Sequence, residues 1–281
     1  MNMSAGEQLV HSTIRITCIL DGDKISTGTG FFFNFCDDGN VCVPAIVTNK
    51  HVIAGAQRGI LRFSVRGEDD NRIPQQHYDV AIENFEQACV KHPSNNIDLC
   101  LLPIAKIVND AYKIGIKLFY VALSKDLIPN TEQLQSLEPI EDVVMVGYPD
   151  GIWDEQNNRP IVRKGITATH PGIKFNGANE FMLDIACFNG SSGSPAFIYN
   201  QGSYPTKNGI TIGSRLLFIG IVYAVAQHRV AGEIGFYPMP TVNSMQPVPI
   251  TDIPNNLALA IMAEELLEFE KVFENAGGEK Q

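Results

Sequence analysis

The sequence predicts an all-β protein of the barrel or sandwich kind, finished by one carboxy-terminal helix. Three observations carry this. Apolar segments are short and bounded by Gly, Pro, Asn and Asp; several alternate with a period of two; and helical periodicity is scarce before residue 263. The length of 281 residues suits one large domain or two small ones. With 44% hydrophobic and 19% charged residues, the chain can fill a sizeable core, and wholesale disorder is excluded. The net charge of −10, with no cluster of Lys and Arg, argues against a nucleic-acid surface.

Taken in order, residues 13–21 alternate and are rich in β-branched types, so they read as a strand that ends in the turn Asp21-Gly22-Asp23. Residues 27–33 form a glycine-punctuated strand heavy in aromatics. A polar tip at 37–40 leads into a strand over 41–48, where Pro44 marks an edge or a bulge. Strands are expected over 61–66, 78–82, 97–104 and 119–123. The polar segment 124–140, broken by Pro129 and Pro139, reads as a linker. The style then repeats, with strands over 142–147, 161–169, 181–187, 196–199, 216–226 and 255–261. From Ala263, residues Leu266, Phe269 and Phe273 fall at helical spacing among glutamates, an amphipathic helix that packs on the body, with fraying expected over 276–281.

The first ten residues lack a basic flank before an apolar run, and no apolar run reaches about 18 residues. A cytoplasmic protein with no membrane contact is therefore expected, and the six cysteines are expected as free thiols. Cys36 and Cys42 flank the polar tip without a second pair to complete a zinc pattern, so no metal or other cofactor is expected.

The chemistry gathers in three places. Cys187-Phe188-Asn189-Gly190-Ser191-Ser192-Gly193-Ser194-Pro195 is a turn that can hold a serine toward solvent while backbone N–H groups converge. His51 follows an apolar strand at the entrance of a short turn. Asp98 heads an apolar strand, where a buried acid needs a partner. A neutral histidine can take the serine's proton, and a carboxylate can orient that histidine. The order His, Asp, Ser departs from that of α/β-hydrolases, whose Gly-x-Ser-x-Gly elbow also fails because position 194 is serine. His11, His77, His92, His170 and His228 have no comparable context, and Ser191 and Ser194 fit the glycine offsets less well than Ser192.

These motifs resemble the trypsin/chymotrypsin-like serine peptidases of bacterial type, similar to the HtrA protease domain and the glutamyl endopeptidases. The likeness is carried by Thr29-Gly30-Phe31 with Val47-Thr48-Asn49-Lys50-His51-Val52-Ile53, by Asn96-Ile97-Asp98-Leu99, by Gly190-Ser191-Ser192-Gly193-Ser194-Pro195, and by Leu217-Phe218-Ile219-Gly220-Ile221-Val222. It implies two six-stranded β-barrels with the site between them: an amino-terminal barrel over 1–125 with His51 and Asp98, a second over 126–262 with Ser192, and the helix and tail over 263–281. It implies catalytic His51, Asp98 and Ser192, an oxyanion hole from the N–H groups of Gly190 and Ser192, and a protein or peptide substrate. Ser191 stands where zymogen-activated trypsins carry an aspartate, so no amino-terminal cleavage is expected, and no appended PDZ module is seen. The other reading is a catalytically silent binding or scaffold module on the same fold. A regulatory protein partner is compatible with either reading, and the sequence does not name one.

The resemblance also places the pocket for the residue before the cut at Ala186, Val222, Tyr223 and Ala224. An uncharged lining predicts a preference for small or medium apolar residues. A two-residue shift in that alignment would bring Asp184 to the pocket base instead.

Overall fold

The computed structural model describes residues 3–207, 209–229, 237–239, 242–246 and 252–278. The first half forms one sheet from β1 (Thr13–Ile19), β2 (Ile25–Phe35), β3 (Val43–Thr48), β4 (Arg58–Arg66), β5 (Arg72–Glu83), β6 (Val90–Lys91), β7 (Cys100–Pro103) and β8 (Lys117–Phe119). Its order is β5-β4-β1-β2-β3-β7-β6, with β8 paired to β4. It carries eight strands, two more than the resemblance implies.

The second half contains β9 (Asp142–Gly147), β10 (Ile161–Thr167), β11 (Glu180–Asp184), β12 (Pro195–Asn200), the hairpin β13 (Ser203–Thr206) and β14 (Gly209–Ile212), β15 (Arg215–Arg229), the pair β16 (Tyr237–Met239) and β17 (Val242–Gln246), and β18 (Asp252–Met262). Six of these close a barrel in the order β10-β11-β18-β15-β12-β9. The mostly-β fold of chymotrypsin type, with a carboxy-terminal helix, is thus the observed one.

Alternation decides which face each residue takes. In β2, Phe31, Phe33 and Phe35 are fully buried on one face, in a core shared with Val146, Phe197, Phe218 and Ile261 of the second half. Phe32 points the other way, into a core with Ile14, Ile16, Leu61 and Phe63. A third core fills the closed barrel around Phe181, Leu183, Ile198 and Val222. Burying each such phenylalanine contributes about 1.5–3 kcal/mol.

Several local expectations change. The strand placed at 97–104 is shorter, β7 starting at Cys100, so Asp98 lies in the loop before it. Of the segment 119–123, only Phe119 belongs to a strand, β8. Pro44 sits on a central strand, since β3 pairs with both β2 and β7; the proline is tolerated because the β7 ladder begins one residue later, at Ala45.

Short helices occupy the stretch read as a turn after His51, the segment read as a linker and three stretches given no element: α1 (Ala5–Val10), α2 (Lys50–Ile53), α3 (Phe85–Ala88), α4 (Ala105–Lys113) and α5 (Thr131–Ser136). Two of them start on capping boxes, Ser4 with Glu7 and Asn130 with Gln133.

At the carboxy terminus a 3₁₀ turn, Ala263–Leu266, leads into α6 (Leu267–Gly278). Phe269 is fully buried, and its ring stands 5.9 Å from that of Phe35. The Glu270 carboxylate accepts the Cys36 N–H at 2.9 Å, which ties this helix to the first half. Fraying was expected over 276–281; helix continues to Gly278, and 279–281 lie outside the described residues. No helix among the described residues is long and apolar enough to cross a membrane.

Candidate active site

The serine turn is built by steric exclusion. Gly193 has φ +87°, and a Cβ there would lie 1.9 Å from the Thr29 carbonyl oxygen. Gly190 has φ +83°, and its Cβ would lie 2.6 Å from the Tyr148 carbonyl oxygen. Only glycine meets both demands at once. The Asp150 N–H donates to the Asn189 carbonyl, which gives that carbonyl a partner at the entry to the turn. The N–H groups of Gly190 and Ser192 donate to no partner among the described residues.

The three serines of the turn separate by burial. Ser191 and Ser194 are fully buried, and Ser191 Oγ accepts the Phe188 N–H at 3.3 Å. Ser192 is half-buried, and its hydroxyl donates to the Tyr223 carbonyl at 3.3 Å.

His51 lies in α2, directly after β3. Its Nδ1 stands 2.5 Å from Asp98 Oδ2, and its backbone N–H donates to Asp98 Oδ1 at 3.1 Å. A carboxylate accepts only, so Nδ1 carries the proton and Nε2 is left as an acceptor. The Asp98 side chain is 25% exposed, and so less buried than its sequence context suggests. Its loop is held by Asn49, whose Nδ2 donates to the Asp98 carbonyl at 2.7 Å. His51 and Ser192 line one cavity of about 470 Å³, together with Ser26, Asp150, Asn189 and Gly190. A groove of about 880 Å³ starts at Asp98 and Tyr223 and runs past Ile97 and Glu180 toward Glu265 and Glu268.

Of the residues assigned to the substrate pocket, Tyr223 and Ala224 are half-buried on β15, and Val222 is fully buried in the barrel core with Ile185 and Cys187. Val222 holds the serine turn by backbone: it accepts the Gly193 N–H at 2.7 Å and donates to the Ser194 carbonyl at 2.9 Å. Ala186 is half-buried, and its carbonyl accepts Arg163 Nη1 at 2.6 Å. Asp184 is exposed at the end of β11. Burial, and then the hydrogen bond to Glu180, push the Tyr223 hydroxyl well above the ordinary tyrosine range, so it stays protonated and donates. Burial likewise pushes the Cys187 thiol up to about 12.

The sequence reading gave Thr29 no role of its own. It is fully buried and joins the two halves. Its N–H donates to the Ser192 carbonyl at 2.9 Å, and its Oγ1 donates to the Gly190 carbonyl at 2.9 Å. The same Oγ1 accepts the Tyr148 N–H at 3.0 Å, and its carbonyl accepts Thr48 Oγ1 at 2.7 Å. The available signal was a threonine set among glycines in an otherwise apolar strand.

A family model described as "Trypsin-like peptidase domain" matches residues 28–203, more than half of the chain. No curated protein matches it. Among solved structures, the HtrA-type protease AlgW with tripeptide is similar at a TM-score of 0.50 and 14% identity, covering 96% of this chain and 62% of that one. The serine endoprotease from Yersinia pestis is similar at a TM-score of 0.48 and 16% identity, covering 98% and 69%. The Rv3671c protease from M. tuberculosis in its active form gives 0.45 and 16%, covering 92% and 78%. The AlgW likeness establishes a shared fold, and the chain spans about 62% of that protein's length.

Proposed function

Because the chain belongs to the trypsin-like peptidase domain family, we propose that it is a serine endopeptidase working through Ser192, His51 and Asp98. The observation that carries this reading is one cavity lined by a half-buried serine, beside two N–H groups without partners among the described residues, and by a histidine whose Nε2 has no hydrogen-bond partner among them.

Ser192 Oγ attacks the peptide carbonyl while its proton passes to His51 Nε2. The carbonyl oxygen gains negative charge and is met by the N–H groups of Gly190 and Ser192, each such donor being worth about 10²–10³ in rate. Asp98 holds the imidazole in the required tautomer and faces the charge that forms on it. The protonated Nε2 then gives its proton to the departing amine, leaving an ester on Ser192. Water repeats the sequence and releases the acid. Compartment and regulation belong to the same proposal: a cytoplasmic peptidase whose substrate is protein or peptide. The apolar preference before the cut rests on the Ala186, Val222, Tyr223 and Ala224 stretch, with Asp184 exposed at the end of β11.

One observation favours the silent-module reading: the Ser192 hydroxyl donates to Tyr223. Among the described residues no hydrogen bond joins Ser192 to His51, so the peptidase reading requires the hydroxyl to leave the Tyr223 carbonyl and turn toward the imidazole. A fluorophosphonate probe separates the readings. Wild-type protein is expected to label at one site and Ser192→Ala not at all, with an unchanged circular dichroism spectrum. No labelling of the wild type overturns the peptidase reading, and full labelling of the variant overturns the nucleophile.

A further inference from the structure

The sequence gives His92 no catalytic context, yet its side chain is only 2% exposed and sits at the neck of the loop that carries Asp98. Its backbone N–H donates to the Leu99 carbonyl at 2.9 Å, which closes the loop. Its Nδ1 accepts the Ser94 N–H at 3.1 Å. An N–H can only donate, so Nδ1 is unprotonated and the proton sits on Nε2. Nε2 faces the Glu265 carbonyl at 3.2 Å and the Glu265 carboxylate at 3.5 Å. The ring stands edge-on to Phe269, 5.2 Å away. Each nitrogen therefore has its own partner, and the ring fits in one tautomer and one orientation.

The partners form a chain of contacts that leads to the catalytic pair. Asn179, at the entry to β11, donates to the Glu265 carboxylate. Glu265 fixes His92, and His92 fixes the Ser94 N–H. The Ser94 carbonyl accepts Lys50 Nζ at 2.8 Å, and Lys50 directly precedes His51. Ser94 is thus pinned on one side by His92 and on the other by the helix that bears His51, four residues before Asp98.

We propose that His92 is a positioning residue: as a neutral ring wedged between the Asp98 loop and the carboxy-terminal segment, it sets Asp98 against His51. Without the Nδ1 acceptor, the Ser94 N–H loses its partner and the loop shifts, carrying the carboxylate with it. Displacements of about 1 Å at a distance from the chemistry cost up to about 10²-fold in rate.

Two variants divide the ring's functions. His92→Asn keeps an acceptor near the place of Nδ1, and His92→Gln keeps a donor near the place of Nε2. The proposal, whose kinetic arm rests on the peptidase reading, expects His92→Asn to stay within about threefold of wild type, and His92→Gln to lose about 10–100-fold in kcat with KM nearly unchanged.

A second readout needs no turnover. The His51 Nδ1 proton, in a short bond to a carboxylate, gives a far-downfield proton resonance. It is expected to persist in His92→Asn and to weaken or move upfield in His92→Gln, with the melting temperature of both variants near that of wild type. An unmoved resonance in His92→Gln, or equal losses in both variants, overturns the proposal. Should His92→Gln fail to fold, Lys50→Met removes the opposite pin on Ser94; a moved resonance supports positioning through Ser94 and an unmoved one overturns it. A wild type that neither labels nor cleaves refutes the peptidase reading, and the resonance still decides the role of His92.

Discussion

The serine turn and the Asp98 loop are held in shape by opposite means. The turn is set by what cannot fit: Gly190 and Gly193 adopt positive φ where a Cβ would strike backbone oxygen. The loop is set by what must be bonded: its backbone is held by the side chains of Asn49 and Lys50, beside His51, and of His92 at its own neck. Steric exclusion leaves glycines at fixed offsets in the sequence. Side-chain bracing leaves ordinary residues whose roles appear only when the chain has folded. The first device tolerates almost no substitution, and the second degrades by steps.

That contrast can be broken or sharpened by measurement. The largest effect is expected from Gly193→Ala. The added methyl forces the turn off the Thr29 carbonyl and disrupts the Gly190 and Ser192 donors, so probe labelling should slow by about 10²–10³-fold. A variant that labels at the wild-type rate would show that the turn is not sterically set.

A smaller effect is expected in the loop. Asn49→Ala removes one of its braces and should reduce kcat by about two- to tenfold, since a single hydrogen bond contributes about 0.5–1.5 kcal/mol. A loss as large as that of Gly193→Ala would erase the distinction.

The smallest effect is expected outside both regions, where acid should destabilise the protein through His11. Burial, and then the neighbouring Arg159 and Arg72, lower the His11 pKa to about 4. The unfolded chain takes up that proton near 6.5, so it binds more protons than the folded state between 6.5 and 4. Stability from this group is present above 6.5 and is lost as pH falls toward 4. It amounts to about 1 kcal/mol, because solvent still reaches the ring. Urea midpoints should therefore fall less steeply over that window in His11→Gln than in wild type, and identical slopes would remove His11 from the account.

The same contrast explains what the sequence disclosed. The fold was legible because period-two alternation is written along each strand, as in Phe31, Phe33 and Phe35 on one face of β2 against Phe32 on the other. As candidates, Ser192 stands out in the sequence through its glycines and His51 through the strand before it, while Asp98 reads as the head of a strand that begins only at Cys100. The eight-strand count of the first sheet was not legible, because β6 has only two residues and β8 three, too short for any period. The helices α1 and α5 announced themselves only in capping boxes, and α4 was hidden among strands. His92 and Thr29 escaped because a brace is defined by its partner, and Glu265 and Gly190 lie 173 and 161 residues away in the chain.

The buried row on β2 has a mechanical consequence. That strand is at once the inner wall of the first half and the seam against the second, and over residues 28–33 both of its faces are buried. Two bodies welded along such a spine cannot open like jaws, because any hinge would have to expose several phenylalanines together. If the chain acts as the proposed peptidase, a protein substrate would have to be unfolded enough to enter the cleft without such a hinge. On the proposed peptidase reading, the choice of target would then be limited first by the looseness of its chain and only afterwards by the side chain at the cut.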